Sequence, residues 1–175
     1  VTDETEDSSR PSGTVLGIDL GERRIGVAAG DYGTCSAAPL ATLGRSRRAE
    51  DDAAALARLA RERKARSLVV GLPLNMDGSE GQQAARTREW AAVVARITGL
   101  PVRFRDERLT SVRAAERLAG RLRGGSGGPP SGARRQAHRA RIDREAATLI
   151  LQDELDGTAG QAPESEPVEP TARGD

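Results

Sequence analysis

The chain has 175 residues and a formal net charge of +1, enough for one domain with a sizeable core and short for two. Its one cysteine, Cys35, excludes an intramolecular disulfide, and no run approaches the roughly 18 apolar residues of a membrane span. The N-terminus is acidic and lacks the apolar core of a secretory signal, so a soluble protein of the reducing cytoplasm is expected, with no membrane partner.

The small total hides a division along the chain. Residues 1–13 and 157–175 each carry −3, which leaves +7 on the body between them. A basic body between acidic ends suits a polyanionic partner, although many soluble proteins are basic without one. Residues 1–13 and the Pro/Glu-rich 157–175 read as disordered arms flanking a single domain over 14–156.

The spacing predicts strands over about 14–20 and 24–30, joined by a turn into a β-hairpin. A weaker third strand is expected near 34–41, at an edge because of Pro39. Ala53, Leu56, Ala57 and Ala60 recur at helical spacing within 47–64. The unbroken run Ser67–Leu72 reads as a strand buried on both faces, followed by a loop to Gly81. A second helix is expected over 82–98, with Trp90, Val93, Val94 and Ile97 on one side, and a strand at Val102–Arg105 leading into Asp106-Glu107. A further helix capped by Thr110 or Ser111, a mobile Gly/Pro loop over 123–137 and a last helix over about 142–155 complete the pattern. Strands alternating with helices after a hairpin give an α/β fold, a mixed sheet flanked by helices. Trp90 and Cys35 read as core or near-core.

Asp19 interrupts an aliphatic strand, Glu107 follows a later one, and Asp143 opens the last helix. If those strands are neighbours, the three carboxylates meet at one edge of the sheet and repel unless cations sit between them. Hard divalent ions, Mg²⁺ or Mn²⁺, suit such oxygen ligands, and a two-metal site suits phosphodiester hydrolysis. Each residue has a plainer account. Asp19 serves as well as a turn Asp, Asp143 as a helix N-terminal charge and Asp106-Glu107 as a solvated strand end. His138, the only histidine, has no nucleophile to serve and reads as exposed. The basic borders of the 123–137 loop, Arg134 and Arg135 among them, are candidates for phosphate neutralisation or a solvated face.

Four blocks resemble the YqgF (RuvX) family in order: Gly17-Ile18-Asp19-Leu20-Gly21 with Arg24-Ile25-Gly26-Val27-Ala28; Val70 to Gly78; Asp106-Glu107-Arg108-Leu109-Thr110-Ser111; and Ile142-Asp143 through Leu151. The resemblance implies an RNase H-like fold and a divalent-metal-dependent nuclease, processing the 5′ end of pre-16S rRNA or resolving branched DNA. It maps the family's acidic residues onto Asp19, Glu107 and Asp143. Strand pleat sends Asp106 and Glu107 to opposite faces, and Glu107 is taken as the ligand. Arg24, Asn75, Asp77, Arg108, Arg134 and Arg135 are then substrate-contact candidates. Two features depart from the family: Glu22, where a small residue is usual, and the loose Gly/Pro segment 124–132.

Two other function classes compete. An ATPase of the actin type needs two related domains and a second Asp-x-Gly hairpin, and the chain has neither. A non-catalytic RNA-binding assembly factor on the same fold is not separable by sequence. Monomer and homodimer both stay open.

Overall fold

The computed structural model describes residues 12–107 and 132–158. Strand β1 (Thr14–Leu20) pairs antiparallel with β2 (Arg24–Asp31), closing the expected hairpin. Gly21 makes the turn, its N–H donating to the Arg24 carbonyl at 3.0 Å. β3 (Ser36–Gly44) pairs antiparallel with β2, while β4 (Ser67–Leu72) and β5 (Val102–Asp106) run parallel to β1. The sheet order is β3-β2-β1-β4-β5, which puts Pro39 on an edge strand as its missing N–H requires.

Helices α1 (Ala49–Arg63) and α2 (Gln82–Thr98) cover one face, and α3 (Gly132–Thr158) crosses the other. Strand alternation sorts the side chains. Leu16, Ile18, Ile25, Val27, Leu68 and Val70 pack under α1 and α2, whereas Val15, Ala28 and Val69 meet Ala147, Ile150, Leu151 and Leu155 of α3. Each fully buried aliphatic side chain contributes about 1.5–3 kcal/mol. Ala53, Leu56, Ala57 and Ala60 of α1 are all buried, as their spacing requires. Trp90 is buried too, and its indole N–H donates to Asp52 at 3.0 Å.

Four readings change. β3 extends to Gly44 instead of ending near 41, because the β2 ladder continues through Ile25–Leu43 and Arg24–Gly44. The buried side of α2 is Ala84, Thr87, Trp90, Ala91, Val94 and Ala95, and Ile97 turns outward. Cys35 is exposed in the β2–β3 turn, in a left-handed conformation with φ of 50°, and its thiol donates to the Tyr32 carbonyl. The last helix begins at Gly132, ten residues before the expected 142. Its first turns are polar and show no apolar periodicity, yet Ala, Arg and Gln are strong helix formers. The predicted helix after Thr110, Arg108 and most of the 123–137 loop lie outside the described residues, as do the arms at 1–11 and 159–175.

α3 lies close on the sheet because the strands beneath it are notched by glycine. A Cβ on Gly17 would stand 2.5 Å from Leu151 Cβ, and one on Gly26 only 2.0 Å from the Asp143 carbonyl oxygen. No larger residue fits at either position without moving the helix. These contacts fix where Asp143 sits.

Candidate active site

β1 alternates Leu16 and Ile18 toward α1 and α2, so Val15, Gly17 and Asp19 face α3. Asp19 pairs across the hairpin with Gly26, over which the Asp143 main chain passes. On its other side β1 pairs with β4 through Ile18–Val70, and the next residue along β4 is Gly71. Above Gly71 lies the Glu107 carboxylate: a Cβ there would come within 2.5 Å of Glu107 Oε2. The Glu107 N–H donates to the Leu72 carbonyl at 3.2 Å, anchoring the end of β5 beside β4. Asp143, Asp19 and Glu107 thus stand in a row across β2, β1 and β4, each beside or over a position without a side chain. Asp106 follows Phe104 in the pleat, is exposed, and lines a separate cleft with Leu72 and Arg88.

The charges in this row are poorly compensated. Burial, then the neighbouring Asp143, pushes the Asp19 carboxyl up to about 6. Burial, followed by Asp19 and Asp106, raises Glu107 to about 7. Among the described residues neither Asp19 nor Glu107 has a cationic partner within 4 Å. Asp143 differs, because its Oδ2 accepts a hydrogen bond from Arg24 Nε at 2.5 Å. Among the described residues no three His, Cys, Asp or Glu side chains form a group that could hold a metal ion, and one Asp143 oxygen is taken by Arg24. The donor set itself is all carboxylate oxygen, the chemistry that hard divalent cations take. Two half-buried acids that raise each other's proton affinity are the groups that gain most from a nearby cation.

Asp143 lies well inside α3, eleven residues from its start, and not at a helix opening. It is therefore not a first-turn charge facing the helix dipole, which the plainer reading required. Asn75 and Asp77 sit on the loop after β4, and their side chains organise it. Asn75 Nδ2 donates to Ser79 Oγ at 2.9 Å, and Asp77 Oδ1 accepts from the Ser79 N–H and hydroxyl at 2.9 and 2.6 Å. His138 is exposed on α3, as expected. Arg134 and Arg135 are exposed in the first turn of α3.

Arg135 also lines a groove of about 680 Å³ between the end of the β2–β3 ladder and the first half of α3. Arg23, Arg24, Arg139 and Arg144 line it as well, and among the described residues no acidic one does. Thr42 bridges its floor, donating to the Ala140 carbonyl at 2.9 Å and accepting from Arg144 Nη1 at 3.2 Å. Arg139, like Arg135, belongs to the basic borders of the 123–137 loop read from the sequence, whereas Arg23 and Arg144 are new members of this surface.

A sequence model of the RuvX family, described as Holliday junction resolvase, matches residues 13–157. A protein of Frankia casuarinae, named a candidate pre-16S rRNA nuclease, is 45% identical over 148 residues, covering 84% of this chain and 68% of its own. A like-named protein of an Anaeromyxobacter species is 44% identical over 142 residues, 81% of this chain and 96% of its own. Among solved structures, RuvC of T. thermophilus in complex with a Holliday junction substrate superposes with a TM-score of 0.53 at 17% identity. That match covers 89% of this chain and 99% of RuvC. At that identity the likeness concerns the fold, which is RNase H-like, in agreement with the mixed five-stranded sheet.

Proposed function

The chain belongs to the RuvX family, and from that premise we propose that it is a divalent-metal-dependent endonuclease that hydrolyses phosphodiester bonds in structured nucleic acid. Its substrate in this reading is precursor 16S rRNA, cut at the 5′ end, and its place is the cytoplasm. Among the described residues no helix is long and apolar enough to cross a membrane.

The observation that supports the reading best is the row Asp143–Asp19–Glu107, two of whose members are half-buried and raised toward neutrality with no cation beside them among the described residues. In the proposed site these three carboxylates hold Mg²⁺ or Mn²⁺. Bound there, such ions would activate water and stabilise the leaving oxygen of an in-line displacement, so that no protein nucleophile is required. Asp19, in the middle, is shared by both flanking acids. Arg24 and Arg135 serve as phosphate contacts in the adjoining groove, whereas Asn75 and Asp77 hold the loop beside Glu107 in shape.

The test is cleavage by the purified protein with Mn²⁺, on a precursor rRNA fragment and on a four-way DNA junction. The parent is expected to cut the RNA, and Asp19→Asn to lower the rate by about 10³-fold or more, as losing several kcal/mol of transition-state stabilisation requires. An Asp19→Asn variant as fast as the parent would contradict the assignment. Branched DNA is the second reading, favoured by the family description; cleavage of the junction alone would establish it. RNA binding without cleavage of either substrate would identify a non-catalytic assembly factor.

A further inference from the structure

Arg24 stands at the boundary of two environments. Its guanidinium lines the arginine groove, and its Nε holds Asp143, a member of the carboxylate row. The Arg24 and Asp143 side chains are both about a quarter exposed, at 26% and 22%, so solvent and ligands reach the pair. The groove concentrates positive charge, with no acidic lining residue among those described. Arg135 and Arg139 lie one helical turn apart, about 6 Å along the axis, and Arg144 continues toward Asp143. Such a track suits successive phosphates of a polynucleotide backbone, bound by charge and by the planar guanidinium fork. The Arg24–Asp143 bond, in turn, occupies one oxygen of the third carboxylate of the row.

We propose that this groove holds a stretch of nucleic-acid backbone beyond the scissile bond, and that its occupation draws Arg24 from Asp143 onto a phosphate, freeing the carboxylate for the metal. The inference rests on the three-carboxylate reading above and adds a coupling between two sites. Arg24 is a positioning residue in this scheme. Without a polyanion in the groove it is the counter-ion of Asp143 and competes with a divalent cation for the same oxygen. With one, its charge is claimed by phosphate, and the three acids turn to a shared cation. By linkage, backbone binding strengthens metal binding and metal binding strengthens backbone binding by the same factor. A nuclease built this way assembles its centre chiefly on substrate.

The coupling is read directly by counting free Mn²⁺ by electron paramagnetic resonance, with the full chain and a twelve-nucleotide RNA, against a blank of the RNA alone. The parent is expected to bind Mn²⁺ at least about five-fold more tightly when the RNA is present, the lower end of ordinary coupling. Arg24→Gln is expected to bind Mn²⁺ more tightly than the parent without RNA, and to gain little on its addition. The Arg135→Gln/Arg139→Gln double variant changes two exposed side chains, and its urea unfolding is compared with the parent's. It is expected to retain the parent's RNA-free Mn²⁺ affinity and lose the RNA-induced gain. Arg61→Gln, on the exposed side of α1 at the opposite face, should behave as the parent.

Equal Mn²⁺ affinity of the parent with and without RNA would overturn the coupling while leaving the metal site standing. A full RNA-induced gain in the double variant would overturn the groove as the track. No Mn²⁺ bound by the parent or by Arg24→Gln, with RNA or without, would remove the three-carboxylate reading itself and the coupling with it.

Discussion

Two groups of acids lie on the face of the sheet that α3 covers, and the protein treats them oppositely. Near the helix C-terminus, Glu154 is 3% exposed and held by cations: Arg105 Nε donates to it at 2.5 Å, and Arg103 lies at 4.0 Å. The Tyr32 hydroxyl donates to it as well, at 3.2 Å, and burial followed by the Glu154 charge pushes that phenol up to about 12. Three helical turns earlier, Asp143 shares one arginine with the groove, while Asp19 and Glu107 have acids for neighbours. A carboxylate that holds α3 to β5 is neutralised from within the fold. Carboxylates placed beside one another leave a demand for positive charge that a ligand can meet.

Breaking the neutralised cluster is expected to cost the most stability. Glu154→Ala removes the buried counter-charge of Arg105 and Arg103, and a loss of about 3–5 kcal/mol in urea unfolding is expected, as for other broken buried pairs. Little change would place the cluster in contact with water. The glycine notch comes next. Gly26→Ala puts a methyl group against the Asp143 carbonyl, so about 1–3 kcal/mol should be lost, with a larger proportional fall in Mn²⁺ affinity as Asp143 moves. Stability lost with Mn²⁺ affinity kept would separate the notch from the site.

The acids with no counter-ion predict the opposite sign. A carboxyl whose folded value lies above its unfolded one holds its proton in the native state while the unfolded chain has released it. Stability therefore falls as pH rises through about 4, below which both states are protonated at Asp19, to about 6 and at Glu107 to about 7. Above those values both states are ionised and the penalty stays constant. Asp19→Asn is accordingly expected to unfold about 1–2 kcal/mol later than the parent at pH 7.5 and to flatten the pH dependence between 4 and 6. A variant less stable than the parent at pH 7.5 would show that Asp19 is already compensated. Smallest of all, Asn75→Ala should change unfolding by less than about 1 kcal/mol, because its Ser79 bond is exposed, and should act on the cleavage rate through loop order.

What could be read from the residues follows from how each element announces itself. β1, β2, β4 and α1 carry unbroken or periodic apolar signals, and their bounds are recovered closely. The glycines of the first hairpin lack a side chain and admit close approach, but only the fold shows that α3 is the element that approaches. The first half of α3 was hidden because it buries no apolar face and so leaves no period to detect. Its arginine groove was hidden with it, since the groove needs β2 and β3 brought against that helix. Asp52 reads as an ordinary first-turn acid of α1, and only the tertiary fold shows it buried beneath Trp90. The β4–β5 pairing leaves the Glu107 carboxylate over Gly71 and Asp106 exposed in a separate cleft.

The central claim is that Asp19, Glu107 and Asp143 close around shared divalent ions. A crystal grown with Mn²⁺ and a short RNA, measured at the manganese absorption edge, tests it most directly. The account predicts an anomalous peak among the three carboxylates, with Arg24 rotated away from Asp143. A map with no such peak, and Arg24 still bonded to Asp143 beside bound RNA, would contradict it.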